Sequence, residues 1–352
     1  MQLELAKANN EMAAKLMKTL PKGSVFSPLS IGYALSLVHQ GAIGNTETEL
    51  TKFLGRKYTM DDLSALLKQF NNDLMKLTNA LVINKNYVLH DSYLDSMRQL
   101  ALINTEDFSQ AVKVAKQINS YIEQKTNGMI KDIVKEEQVT PATVMFLINT
   151  VYFKANWDRP FEVALTRKEL FNATTEVDMM TRTGKMSYYL DPTTKAQMIE
   201  MNYQGGQYCM GFILPAEGED LRSCVSCLDK TQNCSTTKVK VHIPKFTHRK
   251  QTELVPLLQK LGVSDLFSSG SARLDKMTPQ LGTCVSDIIH EAVVIVDEKG
   301  TEAAAVTVIR CMSESFRVEP DPVVFYANRP FLYYICHIPS NMMLFVGDYD
   351  GK

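Results

Sequence analysis

The segment from Asp297 to Thr307 places the tightest constraint on the fold, because its side chains suit neither a turn nor a packed core. It contains three consecutive alanines, which supply no turn chemistry. By itself it is too short to form a stable helix. As an extended strand it would have one slim face, formed by Thr301, Ala303, Ala305 and Thr307, and an opposite face that carries Glu302 and Val306. We therefore interpret the segment as a strand whose small side chains allow it to pack beneath other elements of the fold.

Apolar residues at three- and four-residue spacing predict helices in the first half of the chain. The first helix runs from Leu5 to Leu20, a second begins after the cap-like Ser27, and a third spans residues 111–126. Residues Asp61 to Leu77 form a further helix candidate, which lacks the clustered basic stripe that a polyanion would require.

Strands dominate the second half. Val144–Ile148 and Val151–Phe153 form a nearly continuous apolar stretch, as is typical of a strand buried on both faces. Further strands are predicted at Gln197–Met201, Tyr208–Leu214, Val239–Ile243, Ile288–Val296, Val323–Tyr326, Phe331–Ile338 and Met342–Val346. Early helices and late strands indicate an α+β fold. Because no repeat or long linker interrupts the chain, we expect a single domain over residues 1–352.

Charge and cysteine usage exclude several kinds of partner. With 38 basic and 39 acidic side chains, the net charge of −1 predicts neither nucleic-acid nor membrane binding. No apolar run is long enough to cross a bilayer, and the first residues lack the apolar stretch of a signal peptide. The seven cysteines form an odd set without the spacing of a disulfide framework, which favours a reducing compartment. We therefore expect a cytoplasmic protein.

The sequence offers little that would support catalysis. It contains no Gly-x-Ser-x-Gly elbow and no glycine-rich phosphate loop, and its six histidines form no pair at ligand spacing. The lone motif Cys224-Val225-Ser226-Cys227 is weak evidence for a metal, because no second pair accompanies it. We expect no enzyme activity, no metal and no cofactor.

The residues from Glu298 to Ala305 resemble, almost position for position, the proximal hinge of inhibitory serpins. The resemblance extends over more than 300 residues in the correct order. Its other motifs are Val25 to Ile31, Ile118 to Ser120, Thr126 to Gly128, Ile148 to Lys154, Trp157, Phe325 to Phe331, and Phe345 to Gly347. The chain is thus similar to the intracellular serpins that lack a signal peptide.

This resemblance implies a serpin fold, with a large central, mostly antiparallel β-sheet, additional sheets, about eight to nine helices and an exposed reactive-centre loop. The loop would span residues 298–322 and its proximal hinge residues 298–307. A protease that cuts the loop would form an acyl-enzyme, and the freed segment would insert into the main sheet and trap the enzyme. The hinge residues are Glu298, Gly300, Thr301, Glu302, Ala303, Ala304, Ala305 and Thr307. Val306 is larger than the family's usual residue, which predicts slower insertion at worst.

The resemblance also implies a partner, an oligomeric state and a route of release for the protein. The partner is a serine protease, most often of chymotrypsin-like fold, although a cysteine protease is an alternative. The protein would be a monomer that can polymerise by loop–sheet linkage. Release or secretion from the cytoplasm would follow a route that needs no signal peptide.

The family's usual spacing, a count of fifteen residues that begins with the hinge glycine Gly300, places the scissile bond between Glu314 and Ser315. Alternatives remain open. Cleavage at Met312-Ser313 or Phe316-Arg317 would suit elastase-like or chymotrypsin-like enzymes, whereas Arg310 and Arg317 would attract trypsin-like enzymes. The target protease is not fixed by the sequence.

Asn149 is a polar residue within an apolar strand, where it is costly unless it is hydrogen-bonded. The resemblance places it in a sheet-opening cluster beneath the main sheet, with Ser27, Ser30 and His290. The alternative is four unrelated polar groups that bond to nearby backbone. The only tryptophan, Trp157, resembles the one at the top of the opening sheet, a role compatible with that of a core aromatic.

A second function remains in competition with inhibition. A serpin-fold binding or chaperone protein would never insert its loop, and such relatives tend to carry bulky, charged or proline residues in the hinge. Residues from Thr301 to Thr307 contain no proline and no bulky aromatic side chain, which favours the inhibitor.

Overall fold

The helices follow the apolar periodicity of the sequence. The computed structural model describes residues 2–301 and 321–351. Seven α-helices lie in these ranges: α1 Gln2–Thr19, α2 Pro28–Gly41, α3 Gly44–Leu54, α4 Met60–Phe70, α5 Asp91–Met97, α6 Ala111–Lys125 and α7 Val255–Lys260. A 3-10 helix covers Leu221–Asn233, and single 3-10 turns cover Glu136–Gln138, Val163–Leu165, Asp265–Phe267 and Ile338–Ser340. The described ranges therefore contain eight helices longer than one turn, as expected.

Sixteen strands lie in the same ranges. They are β1 Val25–Phe26, β2 Met75–Asn84, β3 Leu102–Glu106, β4 Met145–Phe153, β5 Ala155–Asn156, β6 Arg167–Phe171, β7 Thr175–Leu190, β8 Gln197–Asn202, β9 Tyr208–Leu214, β10 Ser235–Pro244, β11 Phe246–Glu253, β12 Asp287–Val296, β13 Gly300–Thr301, β14 Val323–Tyr326, β15 Phe331–His337 and β16 Met342–Tyr349. Every strand predicted from the sequence is present, with its bounds shifted by a few residues at most.

One helix prediction was wrong in its extent. The candidate over Asp61 to Leu77 ends as α4 at Phe70, and its last residues belong to strand β2. Four residues separate the two elements, and the first three of them, Asn71, Asn72 and Asp73, are turn-forming. The Asn72 carboxamide oxygen accepts hydrogen bonds from the backbone N–H groups of Leu74 and Met75. These local bonds compete with the helix and end it.

The chain forms two compact units, each assembled from three separate stretches. The first unit comprises the residues up to Phe153, Arg249–Val294 and Ser340–Val346. Its five-stranded sheet has the order β11-β12-β4-β2-β3. Strands β4 and β2 are antiparallel, whereas β12 with β4 and β2 with β3 are parallel. Strand β4 is buried along its whole length, and helix α2 packs against it.

The second unit comprises Lys154–His248, Ile295–Pro339 and the residues from Gly347 onward. It holds seven strands of the larger sheet, in the order β15-β9-β8-β7-β10-β14 with β6 beside β7. Among these strands β10 pairs parallel with β14, and the other neighbouring pairs are antiparallel. The α+β class is confirmed. The single domain over residues 1–352 stays a prediction.

Candidate functional site

The predicted hinge begins in a tight turn at the end of β12. The Asp297 carboxylate accepts hydrogen bonds from the backbone N–H groups of Lys299 at 2.8 Å and Gly300 at 3.0 Å. The Asp297 N–H in turn donates to the Gly300 carbonyl at 2.9 Å. The chain therefore reverses direction, and β13 lies antiparallel to β5, with Gly300 opposite Asn156 and Thr301 opposite Ala155.

Gly300 has no room for a side chain. Its φ of +149° is one that residues with a Cβ rarely adopt. A Cβ at this position would lie within 3.0 Å of three backbone atoms, the Ala155 oxygen, the Asn156 Cα and the Trp157 nitrogen. The close approach of β13 to β5 therefore requires glycine.

We expect Gly300→Ala to separate β13 from β5, because the strained backbone alone costs about 1–3 kcal/mol and the overlap adds to it. Hydrogen–deuterium exchange at the Trp157 amide, which donates to the Lys299 carbonyl at 2.8 Å, should accelerate at least about tenfold. Gly184→Ala is the matched control, since Gly184 lies in β7 of the same unit with nothing near its Cβ position. Equal exchange in both variants would contradict the prediction.

Trp157 fixes the same turn through its side chain. Its indole Nε1–H donates to the Asp297 carbonyl at 2.9 Å, and its ring stacks on Tyr203 with centroids 4.5 Å apart and planes 8° from parallel. The side chain is 1% exposed. Trp157 is thus a core aromatic with a hydrogen bond to the hinge turn, which is compatible with both interpretations made from the sequence.

Glu298 anchors the hinge from its other side. Its carboxylate accepts hydrogen bonds from the Thr166 hydroxyl and the Lys245 ammonium, both at 3.0 Å, and its carbonyl accepts from the Phe161 N–H at 2.7 Å. Burial raises the pKa of Glu298, but hydrogen bonds from its own backbone, Lys245 and Thr166 outweigh burial and leave the pKa below its usual value. Neither Thr166 nor Lys245 was found from the sequence.

The four polar residues predicted to cluster in the first unit are in contact. The Asn149 carboxamide oxygen accepts from the Ser30 hydroxyl at 2.7 Å and lies 2.6 Å from Nδ1 of His290. Nε2 of His290 accepts from the Ser27 N–H at 3.0 Å. Because a backbone N–H can only donate, Nδ1 must carry the imidazole proton and donate it to Asn149. The four residues therefore bond to one another, and their role in sheet opening stays a prediction.

Local structure explains why these side chains meet. Ser27 is the N-cap of α2, and its hydroxyl accepts from the Ser30 N–H at 3.1 Å, so both serines lie at the helix end nearest β4. His290 and Asn149 are direct partners in the parallel pair of β12 and β4. Burial without a charged partner lowers the pKa of His290 to about 3, so its imidazole is neutral.

Asn79 is a fifth member of this cluster that the sequence analysis missed. It lies opposite Asn149 in the antiparallel pair of β2 and β4, and its carboxamide oxygen accepts from Asn149 Nδ2 at 2.6 Å. Asn79 precedes the apolar run Ala80–Ile83. A polar residue in such a strand is the same signal that revealed Asn149, and it could have been used.

Several predicted residues lie outside the described ranges. They are the hinge residues Glu302, Ala303, Ala304, Ala305 and Thr307, and all candidates for the reactive bond, Arg310, Met312, Ser313, Glu314, Ser315, Phe316 and Arg317. The predictions for these residues stay predictions.

Cys224 and Cys227 are both buried on the 3-10 helix Leu221–Asn233. Across residues 2–301 and 321–351, no group of three or more His, Cys, Asp or Glu side chains is arranged to hold a metal ion. In the same ranges, no helix has the length and apolar character that a bilayer span requires.

A family model described as Serpin (serine protease inhibitor) matches residues 7–350. The chain is 37% identical over 343 residues to an uncharacterized serpin-like protein of Acanthamoeba polyphaga mimivirus, covering 93% of this chain and 84% of that protein. It is 32% identical over 380 residues to the leukocyte elastase inhibitor of Equus caballus, covering 99% of each. Serpin48 of Tenebrio molitor, a solved structure, superposes with a TM-score of 0.88 at 26% identity, covering 98% of this chain and 97% of that one. The chain therefore belongs to the serpin family, which is described as serine protease inhibitors and not as enzymes, in agreement with the expectation of no enzyme activity.

Proposed function

We propose that this serpin inhibits its target protease as a suicide substrate. The protease cuts the reactive-centre loop and becomes acylated. The hinge then enters the five-stranded sheet as a new strand between β12 and β4, carrying the protease with it before deacylation. The observation that carries this proposal is the reversed hinge, in which Gly300 and Thr301 already pair antiparallel to β5.

The parallel arrangement of β12 and β4 favours such an insertion. The two strands are direct neighbours from Asp287 opposite Phe146 to Val293 opposite Tyr152. A strand that enters between them in the opposite direction replaces one parallel pair by two antiparallel pairs. Antiparallel pairing is slightly more stable per residue than parallel pairing. The inserted strand also forms hydrogen bonds with both neighbours, where only one pair of strands was bonded before. Insertion is therefore favourable once the two strands separate.

The polar cluster includes residues of both strands that must part, β12 and β4. The hydrogen bond from His290 to Asn149 joins these two strands, whereas the bonds of Asn149 to Ser30 and Asn79 do not join β12 to β4. If α2 stays with β4, parting the strands breaks both bonds of His290, the one to Asn149 and the one from the Ser27 N–H. In that case the bonds of Asn149 to Ser30 and Asn79 stay intact. We infer that the sheet-opening cluster keeps the sheet closed until the hinge enters.

The reactive bond is proposed at Glu314-Ser315, with Met312-Ser313, Phe316-Arg317 and the two arginines as alternatives. The fourteen residues from Thr301 to Glu314 could extend over roughly 46 Å. This length is sufficient for a strand that runs along the whole of β4. Cytoplasmic action is proposed from the thiol content, with release by a route independent of a signal peptide.

The test is incubation with a panel of serine and cysteine proteases, followed by denaturing electrophoresis and N-terminal sequencing of the released fragment. We expect a complex that survives denaturation with at least one protease, a fragment that identifies the cut bond, and a cleaved protein that melts at a higher temperature than the intact one. A loop that every protease cuts with full turnover and no gain in melting temperature would favour the binding or chaperone alternative.

Two neighbouring substitutions make this test specific to insertion. Ala305→Arg adds a charge to the slim face that must pass into the sheet, whereas Val306→Arg adds the same side chain to the outer face. Burying an unpaired charge costs several kcal/mol, so the yield of covalent complex should fall at least about tenfold in the first variant. The second variant should retain most of its yield. An equal loss in both variants would overturn the proposed alternation.

A further inference from the structure

Two thiols of the second unit face each other across neighbouring strands. Cys209 of β9 and Cys336 of β15 are direct partners in the antiparallel register, and each is 3% exposed. Side chains at directly opposed positions lie on the same face of a sheet. The two thiols are hydrogen-bonded to each other, and this bond raises the pKa of Cys209.

The Cα spacing expected for these residues lies within the range of disulfides. The N–H of Ile338 donates to the Gln207 carbonyl at 2.9 Å, two residues along from the cysteine pair. Hydrogen-bonded pairs alternate along an antiparallel ladder, so Cys336 and Cys209 form a pair of this type, in which Cα atoms are roughly 5.5 Å apart. Disulfides span Cα separations of about 4.4–6.8 Å. Opposed Cβ atoms of such a pair lie about 5.5 Å apart, whereas a disulfide needs about 3.5–4.5 Å. Bond formation therefore requires the two strands to move together locally at this position.

The neighbouring groups keep the Cys209 thiol protonated at neutral pH. The hydrogen bond with Cys336, burial and the nearby Glu200 carboxylate raise the pKa of Cys209 well above its usual value. Burial and Glu200 also raise the pKa of Cys234, a half-buried third thiol whose charge acts on Cys209. Since the thiolate is the reacting species, oxidation should be slow at neutral pH and faster at alkaline pH.

We propose that Cys209 and Cys336 are a redox modification site, which holds two thiols in a reducing compartment and closes to a cross-strand disulfide in an oxidising one. This role is independent of the reactive-centre loop. The oxidant is a low-molecular-weight disulfide such as oxidised glutathione. One protein thiolate attacks it and forms a mixed disulfide, releasing one glutathione thiol. The second protein thiolate then displaces the remaining glutathione, so that two protein thiols lose two protons and two electrons and one oxidised glutathione becomes two reduced molecules.

The test uses the full chain in buffers with a rising ratio of oxidised to reduced glutathione. The pH series begins at about 8.5, the usual thiol pKa, and continues upward because the pKa of Cys209 is raised. Digestion without reduction and mass spectrometry should identify the Cys209 and Cys336 peptides joined to each other, with the intact mass lower by two hydrogen atoms. The disulfide closes a loop of roughly 130 residues, so the melting temperature should rise by about 5 °C or more.

Variants separate this site from the other thiols. Cys336→Ser and, independently, Cys209→Ala should abolish both the joined peptides and the rise in melting temperature. Cys284→Ser, which removes a buried thiol of the first unit, should change neither. Stable glutathione adducts at Cys209 or Cys336 without a cross-link would overturn the proposal. So would oxidation that is consumed by Cys224 and Cys227 while Cys209 and Cys336 remain alkylatable after denaturation.

Discussion

Asn149→Leu should lower the local free energy of opening around β4 by about 4 kcal/mol. The substitution removes one side chain that three buried groups require, the Ser30 hydroxyl, the imidazole N–H of His290 and the carboxamide oxygen of Asn79. Each buried polar group that loses its partner costs about 1–3 kcal/mol, and local relaxation recovers part of the sum. Leucine fills a similar volume, so packing changes little.

Hydrogen–deuterium exchange of the β4 and β12 amides measures this loss directly. A difference of about 4 kcal/mol corresponds to roughly a thousandfold faster exchange where amides exchange through opening of these strands. Asn104→Leu is the control, since Asn104 is an exposed asparagine of β3 in the same sheet, and its carboxamide donates to the Glu106 carboxylate. The role assigned to Asn149 would be wrong if both variants exchanged at the same rate.

Acidification should destabilise the first unit through His290. The unfolded chain binds a proton at this imidazole below a pH of about 6.5, whereas the folded chain binds it only below about 3. Between these values the unfolded state holds one more proton, so stability falls as the pH falls, by about 1.4 kcal/mol per pH unit. Between pH 6.5 and 4.5 the expected loss is about 3 kcal/mol, and above pH 6.5 the contribution of His290 is constant.

His290→Gln isolates this contribution from that of other titrating groups, such as the buried His39, whose pKa is also lowered by burial. Glutamine can accept from the Ser27 N–H and donate to Asn149 but does not titrate. Urea unfolding at pH 4.5, 5.5 and 6.5 should give a steeper pH dependence for the unsubstituted protein than for the variant. Parallel pH profiles would remove His290 as the cause.

The sequence predicts the elements of this fold well where apolar periodicity is strong. Strand β4 is an apolar run buried on both faces, and α1 and α2 have regular apolar spacing with clear ends. The helix candidate over Asp61 to Leu77 failed because the helical spacing of Leu63, Leu66 and Phe70 continues by chance into Leu77. The side-chain bonds of Asn72 override that periodicity, and only a closer reading of Asn71 to Asp73 as a turn would have detected them.

The site was only partly predictable for a different reason. Asn149 and Trp157 are conspicuous in the sequence, the first as a polar residue in an apolar strand and the second as the only tryptophan. Lys245 and Thr166 have no such signal, because a lysine before a strand and a threonine in a loop are ordinary residues. They became partners of Glu298 only when the fold brought three distant stretches together.

The pairing of Gly300 with Asn156 also determines which residues of the inserted hinge would lie opposite which residues of β5 and β4. Each further residue of the hinge would lie opposite one residue earlier along β5 and β4, so that Thr307 would arrive opposite Asn149. The Thr307 hydroxyl would then lie where the imidazole of His290 had been. The Asn149 carboxamide would lose its hydrogen bond to His290 and gain one to Thr307. A slip of one residue would instead bring Val306 or Val308 to that amide, so in the proposed insertion the cluster would favour one register over its neighbours.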